Sequence, residues 1–307
     1  RDLSVSHNRL GDVQQAQGDL SGAQQHYATA LAIREFLAAQ DPANTQWQYD
    51  LSTIHDYLGN VQQAQGDLPG AQRHYAIALD IVERLATQDP ANAQWQRDLS
   101  VSHERLGTVQ EAQGDLTGAQ QHYATALDIA ERLATQDPSN TQWQRDLSAS
   151  HDNLGAVQQA RGDLPDAQQH YVTALAIRKR LAVQDPANTE WQRDLSVSHN
   201  RLGTVQQAQG DLVGAQRQYA TSHDITERLA AQDPANAQWQ GDLAISRINL
   251  ACVRAEESDL RGALAHLQSA RSILLALLQR APDHPQFLSY LTRVERRIAE
   301  LEGDAAP

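Results

Sequence analysis

Tryptophan recurs at Trp47, Trp95, Trp143, Trp191 and Trp239, each 48 residues after the last, and Phe287 falls where a sixth would stand. The pair Asp41-Pro42 returns at the same interval as Asp89-Pro90, Asp137-Pro138, Asp185-Pro186 and Asp233-Pro234. A Leu-Gly pair does so from Leu10-Gly11 to Leu202-Gly203. One period running the length of a chain marks a stacked array of one structural unit rather than a set of unrelated domains.

Each unit reads as two helices. Trp47, Leu51, Ile54, Leu58 and Val61 recur at three- and four-residue steps and give one apolar stripe. Asn44 is placed to cap that helix and Gly66 to end it. Asp67 can cap the second helix, with Pro69, or Pro165 in a later copy, accommodated in the first turn. The second stripe is Ala71, Tyr75, Ala78, Leu79, Val82 and Leu85. Stripes this narrow cannot be buried within one hairpin, so neighbouring copies must supply the core. The expectation is an all-α solenoid of about six tandem antiparallel helix pairs, one domain over residues 1–303 with a tail at 304–307.

Composition removes several functions. Asp+Glu 38 against Lys+Arg 25 gives a net charge of -13, the wrong sign for a nucleic-acid-binding chain. No apolar run reaches the roughly 18 residues of a membrane span. Cys252 stands alone, which rules out an intrachain disulfide framework and a Cys-based zinc site. A cytoplasmic location is favoured. Arginine over lysine, with abundant alanine, suggests a GC-rich bacterial gene.

The unit resembles a tetratricopeptide repeat, whose 34-residue pattern is W-x2-L-G-x2-Y, then A-x3-F, then P. Here the corresponding residues are His7, Leu10, Gly11 and Gln14, then Ala23 and Tyr27. Ala23 follows Leu10 at the spacing the family requires, whereas proline arrives seven residues late at Pro42. Seven more residues separate Pro42 from His55, so both helices are lengthened by two turns and the unit grows to 48. The lengthened unit is similar to the repeats of kinesin light chains. The resemblance implies a right-handed superhelix whose first helices line a concave groove.

The two ends depart from the repeat. Glu256-Glu257-Ser258 replaces the usual Ala-Gln-Gly, and residues 285–301 form a polar helix expected to cap the array. At the other end Arg1-Asp2-Leu3-Ser4 matches Arg97-Asp98-Leu99-Ser100, so the chain is expected to open inside a truncated first helix.

Residues that suggest chemistry read better as structure. His7, His55, His103, His151 and His199 form one ladder, and His26, His74, His122 and His170 another. A rung could pair His7 with His26, but no third and fourth ligand recur beside them, so packing is expected and no metal. Candidate Ser, His and Asp residues repeat in every copy, whereas an active site is singular, so no catalytic residue is assigned and no cofactor is expected. Cys252 reads as a passive thiol, and the tryptophans read as core.

The resemblance carries ligand-contacting positions onto three sets of residues. Two before the Leu-Gly leucine stand Asn8, Asp56, Glu104, Asp152, Asn200 and Ile248. Two after it stand Asp12, Asn60, Thr108, Ala156, Thr204 and Cys252. Five after it stand Gln15, Gln63, Glu111, Gln159, Gln207 and Ala255. These vary while the frame holds, and Asp56, Glu104, Glu111 and Asp152 make the middle acidic. The expected function is a non-enzymatic scaffold that receives a basic or polar protein segment, with no nucleic acid and no membrane as partner. The alternative is end-to-end self-assembly through the open first helix.

Overall fold

The computed structural model describes residues 1–304, so the expected tail falls almost wholly outside the described residues. Thirteen helices and no strand occur among them. They group into two compact units, Arg1–Arg161 and Gly162–Pro307. The first holds α1 (Asp2–Ala16), α2 (Leu20–Gln40), α3 (Thr45–Ala64), α4 (Leu68–Gln88), α5 (Ala93–Ala112), α6 (Leu116–Gln136) and α7 (Thr141–Arg161). The second holds α8 (Leu164–Gln184), α9 (Thr189–Ala208), α10 (Leu212–Gln232), α11 (Ala237–Glu256), α12 (Leu260–Arg280) and α13 (Pro285–Asp304). Within each unit every helix packs on the next in sequence.

The expected caps form. Asn44 accepts from the Trp47 amide at 3.1 Å, and Asn92, Asn140, Asn188 and Asn236 do the same for Trp95, Trp143, Trp191 and Trp239. Asp67 accepts from the Gly70 amide at 3.0 Å to start α4. These carboxylates and amides satisfy amides that a helix start leaves without partners. Gly66, at φ +83°, turns the chain out of α3, in a left-handed conformation that costs glycine nothing.

The core lies between copies. In unit 1 Ala23, Tyr27 and Ala30 of α2 bury against Ile54, Leu58 and Val61 of α3. Ala71 and Tyr75 of α4 meet Leu106 and Val109 of α5 in the same way. In unit 2 Ala215 and Tyr219 meet Leu250 and Val253. The leucine of the Leu-Gly pair therefore serves the preceding copy, and its glycine serves its own hairpin. A β-carbon on Gly59 would lie 2.5 Å from the Tyr75 ring, so only glycine lets the ring lie on the helix backbone. At the far end α13 buries Val294 and Leu301 in a cluster with Ala244, Ile248, Leu267 and Leu274.

The tryptophans correct an expectation: all five are half-buried rather than enclosed. Each sits in the first turn of its helix, where neighbouring elements cover only part of the indole.

Candidate interaction face

The buried tyrosine of α2, α4, α6 and α10 builds the face of the first helix beside it. Its ring passes over the helix glycine and its hydroxyl emerges beside the two residues that follow the Leu-Gly leucine by two and five. Tyr75 donates to Asn60 Oδ1 at 2.7 Å, with Gln63 Oε1 at 3.0 Å. Tyr27 stands 2.7 Å from Asp12 Oδ1 and 3.2 Å from Gln15 Oε1. Tyr123 stands 2.9 Å from Glu111 Oε2 and 3.2 Å from the Thr108 hydroxyl. In unit 2 Tyr219 repeats the contact with Thr204 at 3.2 Å and Gln207 at 2.9 Å. Burial of the ring pushes the Tyr75 and Tyr219 hydroxyls up to about 12, so they remain proton donors. The expected site residues Asp12, Gln15, Asn60, Gln63, Thr108, Glu111 and Gln207 are thereby held in one repeated arrangement.

The residues two before the leucine behave differently. Asn8 and Asp152 are buried, at 9% and 3% exposure, and so lie beneath the surface rather than on it. Asp56 is held by Arg105 of the next copy, whose guanidinium also lies 6.0 Å from the centre of the Tyr75 ring. Burial still raises the Asp56 carboxyl, against the pull of Arg105. Glu104 accepts from the Ser150 hydroxyl at 2.5 Å. Burial raises its carboxyl to about 7, with Asp146 pushing the same way and Ser150, Arg97 and Arg105 opposing. The acidic middle foreseen from the sequence is therefore largely neutralised, and Asp12 and Glu111 carry most of what charge the face offers in unit 1. Asn200, on α9 in unit 2, is half-buried, with its Oδ1 3.4 Å from Asn249 Nδ2. Gln159 is half-buried on α7.

Three features of this face escaped the sequence: the tyrosine hydroxyls, the Arg105–Asp56 pair and the Ser150–Glu104 bond. The signal for the second was present, because ion pairs one copy apart obey a 49-residue spacing. Arg1–Asp50 at 3.1 Å and Arg97–Asp146 at 2.5 Å follow it in unit 1, as does Arg193–Asp242 at 2.5 Å in unit 2.

The histidines pair across their hairpins. Nδ1 to Nδ1 distances are 3.0 Å for His7–His26, 2.8 Å for His55–His74 and 2.9 Å for His103–His122. Burial lowers His55 and His103 to about 4, with the facing imidazole adding to the effect. No group of three metal-ligating side chains occurs among the described residues, and no described helix is long and apolar enough to cross a membrane.

Family models of the tetratricopeptide repeat match residues 58–116 and 148–171. Those two stretches are tetratricopeptide repeats. The fold of the chain is similar to BtubC (BKLC) from P. vanneervenii, with a TM-score of 0.65 and 21% identity over 84% of this chain and 92% of that one. It is also similar to the apo form of RapI, with a TM-score of 0.58 and 12% identity over 97% and 99% of the two chains. The nearly identical TPR-like repeats of the Podosopora anserina putative kinesin light chain give a TM-score of 0.54 at 16% identity, covering 74% of this chain and 95% of that one. No curated protein sequence matches significantly.

Proposed function

We propose that this protein is a non-catalytic interaction scaffold whose first-helix face in unit 1 receives an extended, polar segment of a partner protein. The observation that carries this reading is the tyrosine clamp. A constant frame holds side chains of changing identity, Asp12 then Asn60 then Thr108, and Gln15 then Gln63 then Glu111, in equivalent positions. A ladder of amides, hydroxyls and carboxylates suits the hydrogen bonds of a peptide backbone and polar side chains. The neutralised Asp56 and Glu104 favour a polar segment over a strongly basic one. Selection from a displayed peptide library tests this. Polar peptides should be enriched, and the double variant Gln63→Lys/Glu111→Lys should bind them at least tenfold more weakly, with Arg84→Ala on an outer helix as the unaffected control. Equal binding by the variant, or no enrichment at all, would refute the proposal.

A second reading, self-association, is favoured by α1. Leu10 and Val13 are 50% and 53% exposed, whereas their counterparts Leu58 and Val61 are 3% and 0% exposed. Light scattering across a concentration series tests it: a mass that rises with concentration supports stacking, and a constant mass of one chain removes it.

A further inference from the structure

Unit 2 contains an arginine-rimmed cleft. The cleft, of about 590 Å³, opens between α11 and α13, floored by Ile248, Cys252 and Leu267 and rimmed by Arg293, Arg296 and Arg297. Its origin lies in the repeat register. The position held by Asp56, Glu104 and Asp152 in unit 1 passes through Asn200 to Ile248 and then becomes Arg296 on α13. Where earlier copies set a carboxylate, this end sets a guanidinium.

The acids within the cleft are already engaged. Glu256 accepts from Gln207 at 2.6 Å, and Glu300 pairs with Arg297 at 2.8 Å. Burial raises the Cys252 thiol, against the pull of Arg293 and Arg297. Arg293 and Arg296 are exposed and supply the excess positive charge. A fork of planar donors in a cleft of this volume matches carboxylates, which arginine can hold through two parallel hydrogen bonds. The overall charge of -13 is screened beyond about 8 Å at physiological salt, so it does not oppose binding at contact range.

We propose that the α11–α13 cleft binds an acidic peptide segment of a partner protein, gripped by Arg293 and Arg296. The site is independent of whatever the face in unit 1 receives. Cys252 is the only cysteine in the chain and lines the cleft, so it reports occupancy without any substitution. The probe is a labelled octapeptide of glutamate, compared with one of glutamine. At physiological salt the glutamate peptide should bind, weaken as salt rises, and slow alkylation of Cys252 several-fold at saturation. The variant Arg293→Glu/Arg296→Glu should lose at least tenfold in affinity. Arg84→Glu/Arg132→Glu, which changes net charge equally at exposed pairs in unit 1, should bind as the parent does. No binding of the glutamate peptide, equal loss in both variants, or unprotected Cys252 would overturn the proposal. So would a mass that grows with chain concentration and falls back in Arg293→Glu/Arg296→Glu, which would place a second copy in the cleft.

Discussion

Glu104 offers a test in which removing a charge should stabilise the protein. Its carboxyl rises from 4.5 to about 7 on folding, chiefly through burial. A carboxyl raised in the folded state binds more protons there than in the unfolded chain between those values. Stability is therefore fully present below pH 4.5 and is lost as pH rises through about 7. Taken at full strength the loss above pH 7 is about 3 kcal/mol. The pull of Arg97 and Arg105 is already contained in that value, and because Glu104 is half-buried, solvent screening reduces the loss to about 1–2 kcal/mol. The substitution Glu104→Gln keeps an acceptor for the Ser150 hydroxyl and abolishes the charge. Urea unfolding followed by tryptophan fluorescence should show the variant more stable than the parent by about 1–2 kcal/mol at pH 8 and by less than about 1 kcal/mol at pH 5. Titrations common to both proteins, the histidines included, cancel in the difference. A variant less stable at pH 8, or a gap that does not change with pH, would refute the argument.

Other expectations follow from the same geometry. Below pH 6.5 the unfolded chain gains protons that His55 and His103 refuse until about pH 4, so stability should fall as pH drops through that window. His55→Gln/His103→Gln should flatten the fall by about 1–2 kcal/mol in urea titrations at pH 7.5 and 5. Gly59→Ala forces a methyl to 2.5 Å from the Tyr75 ring and should cost about 1–3 kcal/mol in the same assay. Tyr75→Phe removes the hydroxyl that meets Asn60 and Gln63 and should cost about 1 kcal/mol while leaving circular dichroism unchanged. Ser258 holds φ +67° where every earlier copy has glycine, so Ser258→Gly should raise the thermal midpoint, a gain of about 1 kcal/mol.

The array was legible because its determinants are local and recur. Asn44 and Asp67 announce helix starts within three residues of the amides they cap, and Gly66 announces a turn that any side chain would strain. Tyr27 and Gly11 are 16 residues apart in sequence, and only the closed hairpin shows that one is small because the other is large. The face was less legible for the same reason. Asp56 reads as a free acid until the hairpin stack sets Arg105 beside it, and Asn8 and Asp152 read as surface until neighbouring helices cover them. The tryptophans misled in the other direction, since an apolar stripe records which side of a helix faces inward and not how deeply its first turn is covered. Arg296 could have been found by extending the register one copy further, where the change from acid to base is visible in the sequence itself.

The scaffold account is tested most directly by amide hydrogen exchange on the intact chain, with and without a peptide enriched in the selection. Slowed exchange on α3 and α5, centred on residues 60–63 and 108–111, is the predicted result. Protection confined to the outer helices α4 and α6, or exchange unchanged by a peptide that binds, would contradict it.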